Sequence, residues 1–150
     1  MPQTFGDLAA VCEGATYPAA PPYAGPGPHP IVLVAHPERP ELSVPLSEAV
    51  SEVQLVACAH RLDSFIENCS YFNGRRGANQ DLVSGDVQLL IVEVRTGNRV
   101  DRTVAPGQPS PSCAPEISGS GTSGQTQYGP VDWQAINAVL DRYRSQPAAG

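Results

Sequence analysis

The chain has 150 residues, with 15 acidic and nine basic side chains and a formal net charge of −6. Sixteen prolines and 14 glycines make up one residue in five, against about 12% in average proteins. This composition indicates a single folded but loop-rich domain. All nine basic residues are arginines and they form no basic stripe, which disfavours binding to nucleic acid or to an anionic membrane surface.

The N-terminal part is predicted to contain one helix, a proline-rich segment and one strand. Residues 4–12 are expected to form a short helix, with Thr4 as the cap and Asp7 completing a capping box. Residues 13–30 contain six prolines and can form neither a helix nor a central strand. The apolar run at 31–35 is typical of a buried strand.

The middle of the chain is predicted to form antiparallel strands that follow one another in a meander. Residues 52–60 and 65–72 are expected to pair as a hairpin around the turn at 61–64. A loop is expected at 73–85. Residues 86–95 are apolar on both faces, which indicates a central strand that is covered on both sides.

The C-terminal part is predicted to contain an edge strand, a long loop and a helix. After the turn at 96–98, residues 99–104 form a more polar edge strand, and 105–130 form a flexible loop rich in Pro, Gly and Ser. Residues 131–144 form an amphipathic helix, capped by Asp132, whose apolar stripe packs on the sheet. The stripe consists of Trp133, Ile136, Val139, Leu140 and Tyr143.

Together these elements predict an α+β fold in one domain over 1–144. Its parts are a small antiparallel β-meander, a C-terminal helix packed on it, a short N-terminal helix and long Pro/Gly-rich loops. The tail 145–150 is expected to be frayed. No membrane span is predicted, because no run of about 18 apolar residues occurs. The first residues lack the pattern of a signal peptide, so we expect either a cytosolic chain or an excised mature region.

Four widely spaced cysteines in a small chain favour disulfides and therefore an oxidising compartment. They are Cys12, Cys58, Cys69 and Cys113, and three pairings are possible. In the predicted hairpin, Cys58 and Cys69 lie opposite each other within bridging range. This choice leaves Cys12 and Cys113 for the second bridge. We therefore predict the pairs Cys58–Cys69 and Cys12–Cys113.

No catalytic, cofactor-binding or metal site is predicted. His29 and His36 flank a predicted strand at opposite ends and cannot both bind one ion together with His60. His29 is instead expected to fix the chain through a ring hydrogen bond. The sequence contains no Gly-x-Ser-x-Gly element and no Gly-rich loop between a strand and a helix, so neither a catalytic triad nor nucleotide binding is supported.

Two groups of charged residues have both a structural and a functional interpretation. Glu93 lies in the apolar central strand and is expected to form a cross-strand ion pair with Arg95 or Arg102. Arg75 and Arg76, in a loop flanked by glycines, are a candidate site for an acidic partner, although solvated loop charges are the simpler interpretation.

Five sequence features in a fixed order resemble a known bacterial domain. They are VC-x-G with the following AAPPYAGPGPHPIVLV, EVQLVACAHR, ENCSYF, VQLLIVEVRTGNRV with a downstream SCAPE, and a YGPVDWQAI–VLDRY helix. Over residues 5–144 the chain is similar to an uncharacterised extracytoplasmic domain of bacterial membrane-anchored proteins, lipoproteins and receptor-like kinases. The resemblance implies a small disulfide-bonded β domain with a C-terminal helix, and because the family has no assigned activity, none is transferred from it.

Three functional hypotheses follow from these observations. The first is a non-catalytic extracytoplasmic accessory, sensor or interaction domain that binds a protein partner or another ligand. The second is a structural subunit of an extracellular assembly or filament, in which the Pro/Gly-rich segments lie on a neighbouring copy through self-association. A secreted enzyme is the third and is favoured least, because no catalytic motif is found.

Overall fold

A computed structural model describes residues 1–35, 49–73, 76–109, 111–114 and 126–148. It confirms the predicted α+β fold, with two helices and seven strands in two mixed, mostly antiparallel sheets. The helices are α1 (Phe5–Val11) and α2 (Trp133–Ser145), and a short 3-10 helix spans Val50–Glu52. The strands are β1 (Ile31–Ala35), β2 (Leu55–Arg61), β3 (Phe65–Asn73), β4 (Arg76–Val83), β5 (Val87–Glu93), β6 (Arg99–Ala105) and β7 (Thr126–Tyr128).

The larger sheet has the strand order β1-β2-β5-β6, and its topology differs from the predicted meander. β1 and β2 pair in parallel, while β2 with β5 and β5 with β6 pair antiparallel. β5 is a central strand covered on both faces and β6 is an edge strand, as the sequence predicted. A meander pairs each strand antiparallel with the next one along the chain, whereas here β1 and β2 pair in parallel and β2 does not pair with β3.

Helix α2 covers one face of the larger sheet and lies against β1 and β6. Its N-terminus is capped by Asp132, whose side chain accepts from the backbone N–H groups of Gln134 and Ala135. Three residues of the predicted stripe are buried against the sheet, namely Ile136, Leu140 and Tyr143. Trp133 is instead 37% exposed. The prediction that this ring packs in the core was therefore wrong, because the core cluster under α2 is formed by Ile136, Leu140 and Tyr143 and does not include Trp133.

Helix α1 covers part of the opposite face. The predicted capping box is present, because Asp7 N donates to Thr4 Oγ1 over 3.1 Å and Thr4 N donates to Asp7 Oδ2 over 3.2 Å. Leu8 and Val11 of α1 are buried against residues of β1, β2 and β5 on this face. Because the helix has only seven residues, it leaves the far end of the face uncovered.

β2 and β5 of the larger sheet form a two-stranded ribbon that continues into β3 and β4 of the smaller sheet. β7 pairs with β4 and completes the smaller sheet, whose order is β3-β4-β7. β2 continues into β3, β4 continues into β5, and the pairing register runs through the junction. There Leu62 N donates to Asp86 O over 3.0 Å and Ser84 N donates to Ser64 O over 2.8 Å. The predicted turn at 61–64 is thus a bend in one strand, and the predicted loop at 73–85 is largely strand β4.

The bend is packed around close backbone contacts at three glycines. A Cβ on Gly85 would lie 2.0 Å from the carbonyl oxygen of Pro130, and a Cβ on Gly107 would lie 2.6 Å from the Cα of Gly85. A Cβ on Gly129 would lie 2.8 Å from the carbonyl oxygen of Val83. Only glycine lets the three chain segments approach so closely.

Both disulfides differ from the predicted pairs. Cys12 at the end of α1 is bonded to Cys58 in the middle of β2, and Cys69 of β3 is bonded to Cys113. All four cysteines are therefore in disulfides, as predicted, but the pairing was wrong. The hairpin register failed because β2 and β3 lie end to end, so that Cys58 faces Leu90 and Cys69 faces Gln80.

The proline-rich segment before β1 is held to the rest of the domain by specific hydrogen bonds. His29 Nδ1 lies 2.8 Å from Gln54 Oε1, and His29 N donates to Arg144 O over 2.7 Å. The predicted ring hydrogen bond of His29 is thereby confirmed. Ala148 N donates to Gly25 O over 2.8 Å. Residues 149–150 lie outside the described residues, so the fraying of the tail stays a prediction.

Candidate functional site

A groove of about 460 Å³ lies between α1 and the part of the sheet that α1 leaves uncovered. One wall is formed by small residues of α1, with Gly6, Ala9 and Ala10 facing the opening. The floor is formed by apolar residues of the three strands β1, β2 and β5, namely Val34, Cys58 and Leu90. A volume of this size suits a small ligand or a few side chains of a partner.

The Cys12–Cys58 disulfide fixes the width of this groove. It joins the C-cap of α1 to the middle of β2, and both sulfur-bearing residues line the opening. Small residues on α1 leave space that larger side chains would fill, and the disulfide ties the C-terminal end of the helix to β2. The groove is therefore preformed by covalent and backbone structure.

Polar groups are found at the rim of the groove. The rim contains the exposed carboxylate of Glu13, the exposed imidazole of His60 and the half-buried amide of Gln88. The residues lining the groove include no serine, threonine, tyrosine or free thiol. This arrangement can bind an apolar group and orient a polar end.

A second cluster joins the edge strand β6 to α2. The Tyr143 hydroxyl donates to Asp101 Oδ2, and Arg142 Nη2 donates to the same hydroxyl over 3.3 Å. The hydrogen bond from Tyr143 lowers the pKa of Asp101, and the backbone N–H of Arg102 adds to that effect. Burial, followed by the hydrogen bond to Asp101, raises the pKa of Tyr143. We interpret this cluster as a link between the helix and the strand.

A third feature is the bend itself, where Arg61 is only 8% exposed. Its guanidinium donates to Asp63 Oδ1 over 2.9 Å, to Ser84 O over 3.0 Å and to Gly129 O over 2.9 Å. It also lies 5.1 Å from the ring centroid of Tyr128. Arg61 therefore fixes β7 and the bend of the ribbon in one position.

The structure tests several of the residues that the sequence singled out. Arg75 and the side chain of Arg76 lie outside the described residues, so the site for an acidic partner stays a prediction. His36 also lies outside the described residues. Glu93 faces Leu55 across the strands, and no salt bridge joins it to Arg95 or Arg102 among the described residues. The predicted ion pair was therefore wrong, because the register places Arg102 opposite Leu90.

Sequence reasoning missed both the groove and the buried Arg61. Gly6, Ala9 and Ala10 are small residues on one helix. This pattern predicts either that another segment packs closely on the helix or that a space is left beside it, and only the position of β2 decides between the two. Among the described residues no group of three or more His, Cys, Asp or Glu side chains is placed to hold a metal ion.

Comparisons with protein-family models, curated proteins and solved structures find no match to this chain. The resemblance to an extracytoplasmic bacterial domain therefore stays a prediction. Within the described residues, no helix has both the length and the apolar character needed to cross a membrane.

Proposed function

We propose that this chain is a non-catalytic extracytoplasmic interaction domain that binds a small molecule with an apolar body in the groove between α1 and the sheet. The single observation that supports this function is the preformed groove of about 460 Å³, with an apolar floor and polar groups at its rim. Clefts of roughly 300–1,000 Å³ with apolar walls and few polar groups are typical of small-molecule sites.

The location outside the cytoplasm is supported by the cysteines. All four are in disulfides, and such bonds persist in oxidising compartments and are rare in the cytosol. One of the two bonds is itself a wall of the groove, so the site depends on the oxidised form of the protein.

A binding role is favoured over catalysis by the composition of the groove. Its apolar floor provides a hydrophobic surface for a ligand, while Glu13, His60 and Gln88 can orient a polar end. An enzyme that uses covalent catalysis would need an activated nucleophile next to a base, and the two sulfurs in the lining are bonded to each other.

Filling the groove tests the proposal. Ala10→Trp places an indole into the opening, and Ala138→Trp, on the exposed side of α2, is the matched control. We expect a fluorescent apolar probe such as anilinonaphthalene sulfonate to bind Ala10→Trp about tenfold more weakly than wild type. The control should bind as wild type does. Equal probe affinity in all three folded proteins would contradict the proposal.

A further inference from the structure

One face of the smaller sheet presents two exposed aromatic rings on the same row. Phe65 pairs with Val83, and Val83 pairs with Tyr128, so these residues form a line across β3, β4 and β7. Phe65 is 65% exposed and Tyr128 is 47% exposed. Because neighbouring strands are about 4.8 Å apart, the backbones of the two aromatic residues are separated by about 10 Å.

Next to the aromatic row lies a row of hydrogen-bonding side chains on the same face. Asp81 is two residues from Val83 and therefore shares its face, and Asn68 Nδ2 donates to Asp81 Oδ1 over 3.0 Å. One row further, Ser70 Oγ donates to Asn79 Oδ1 over 3.1 Å. We call this surface the polar-aromatic face; it consists of Phe65, Asn68, Ser70, Asn79, Asp81, Thr126 and Tyr128.

The positions of these side chains are fixed by their surroundings. The Arg61 guanidinium lies 5.1 Å from the Tyr128 ring centroid and restrains the ring. The cross-strand hydrogen bonds hold the Asn68 and Asp81 side chains against each other, with oxygen atoms left to accept further bonds. A surface of this kind loses little side-chain entropy when a ligand binds.

We propose that the polar-aromatic face binds an extended, neutral polysaccharide. Sugar rings present apolar C–H faces that stack on aromatic rings, and hydroxyl groups at their edges that pair with amide and carboxylate oxygens. Because the backbones of the two aromatic residues are about 10 Å apart, their side chains can contact two sugar rings of one extended chain. This proposal is independent of the groove, which lies on the larger sheet.

The charge of the face selects between classes of ligand. Among the described side chains of the face, Asp81 carries a formal charge, and that charge is negative. An acidic polysaccharide or a nucleic acid would therefore meet repulsion rather than a counter-charge. A protein partner is less favoured, because the rows beyond the two aromatic rings consist of amide, hydroxyl and carboxylate side chains.

Retention on insoluble neutral polysaccharides tests the proposal. The probes are microcrystalline cellulose and chitin, and the bound fraction of the oxidised protein is measured after sedimentation. Phe65→Ala removes a largely exposed ring, and Trp133→Ala is the matched control, because it removes an exposed aromatic side chain from α2. Tyr128→Ala tests the second ring, and thermal melting shows whether it remains folded without its contact to Arg61.

We expect wild type and Trp133→Ala to be retained on at least one probe, and Phe65→Ala to bind about tenfold more weakly. Absence of retention on both probes, or an equal loss in the Trp133→Ala control, would overturn the proposal. A wild-type dimer that Phe65→Ala dissociates, without retention on either polysaccharide, would show that the face binds protein instead. The probe-binding experiment on the groove is unaffected by any of these outcomes.

Discussion

Asp63 and Gly85 lie opposite each other at the point where the ribbon bends from the larger sheet into the smaller one. Asp63 has a φ of 49° and so adopts the left-handed conformation, which aspartate tolerates better than most residues. The hydrogen bonds between Leu62 and Asp86 and between Ser84 and Ser64 close the ladder on either side. The pair therefore changes the direction of the ribbon without losing its register.

Gly85→Ala is expected to destabilise the protein by about 3 kcal/mol or more, because a Cβ at this position would lie 2.0 Å from the backbone oxygen of Pro130. The free energy of unfolding in urea measures the effect. Gly6→Ala is the control, since its Cβ would make an ordinary contact of 3.5 Å. That substitution should be neutral or stabilising by about 0.5–1 kcal/mol in a helix. Wild-type stability of Gly85→Ala would contradict the close backbone packing at the bend.

Non-reducing peptide mapping is expected to find Cys12 linked to Cys58 and Cys69 linked to Cys113. The sequence separations are 46 and 44, so the chain-entropy model assigns about 4 kcal/mol of stability to each bond. The double variants Cys12→Ser/Cys58→Ser and Cys69→Ser/Cys113→Ser should each lower the melting temperature. A Cys58–Cys69 peptide would contradict the structure, and free thiols at all four positions would also remove the support for an extracytoplasmic location.

The apolar stripe of α2 is expected to contribute unequally to stability. Leu140→Ala should cost about 2–5 kcal/mol, because the side chain is 4% exposed within the core. Trp133→Ala should cost less than Leu140→Ala, since the indole is 37% exposed and lies outside the buried core cluster. Chemical denaturation of both variants measures the difference. A larger loss from Trp133→Ala than from Leu140→Ala would mean that α2 is rotated relative to the structure.

The Tyr143–Asp101 hydrogen bond is expected to make stability depend on pH at both extremes. The pKa of Asp101 is lowered from an ordinary value of 3.8, so its contribution is complete above that pH. The contribution is lost as the pH falls through the lower pKa of the folded state. The pKa of Tyr143 is raised from 10.0, so its contribution is complete below pH 10 and is lost as the pH rises through the folded pKa.

The size of this pH effect is small, since Asp101 is exposed and its charge is screened by solvent. Tyr143→Phe should cost about 1 kcal/mol near neutral pH and should flatten the dependence of the melting temperature on pH in both ranges. Asp101→Asn is the complementary variant. Equal pH profiles for wild type and Tyr143→Phe would contradict a stabilising role of this bond.

The sequence by itself determined the elements whose signals are local. The capping box of Thr4 and Asp7 and the Asp132 cap placed both helices. Residues 86–95 carry apolar side chains on both faces, which identified β5 as a central strand. Only a strand that is covered by other layers on both sides needs two apolar faces. The number and spacing of the cysteines likewise indicated that all four are in disulfides.

Only the tertiary structure decided which segments become neighbours. Whether residues 62–64 reverse the chain or merely bend it depends on the partner strand, and β4 was missed because its polar residues resemble a loop. The disulfide pairing follows from the bend at residues 62–64. Because the chain bends there and does not reverse, Cys58 and Cys69 lie on strands that are end to end rather than side by side. The groove and the polar-aromatic face arise in the same way, because both combine residues distant in sequence whose proximity is set by long-range strand pairing.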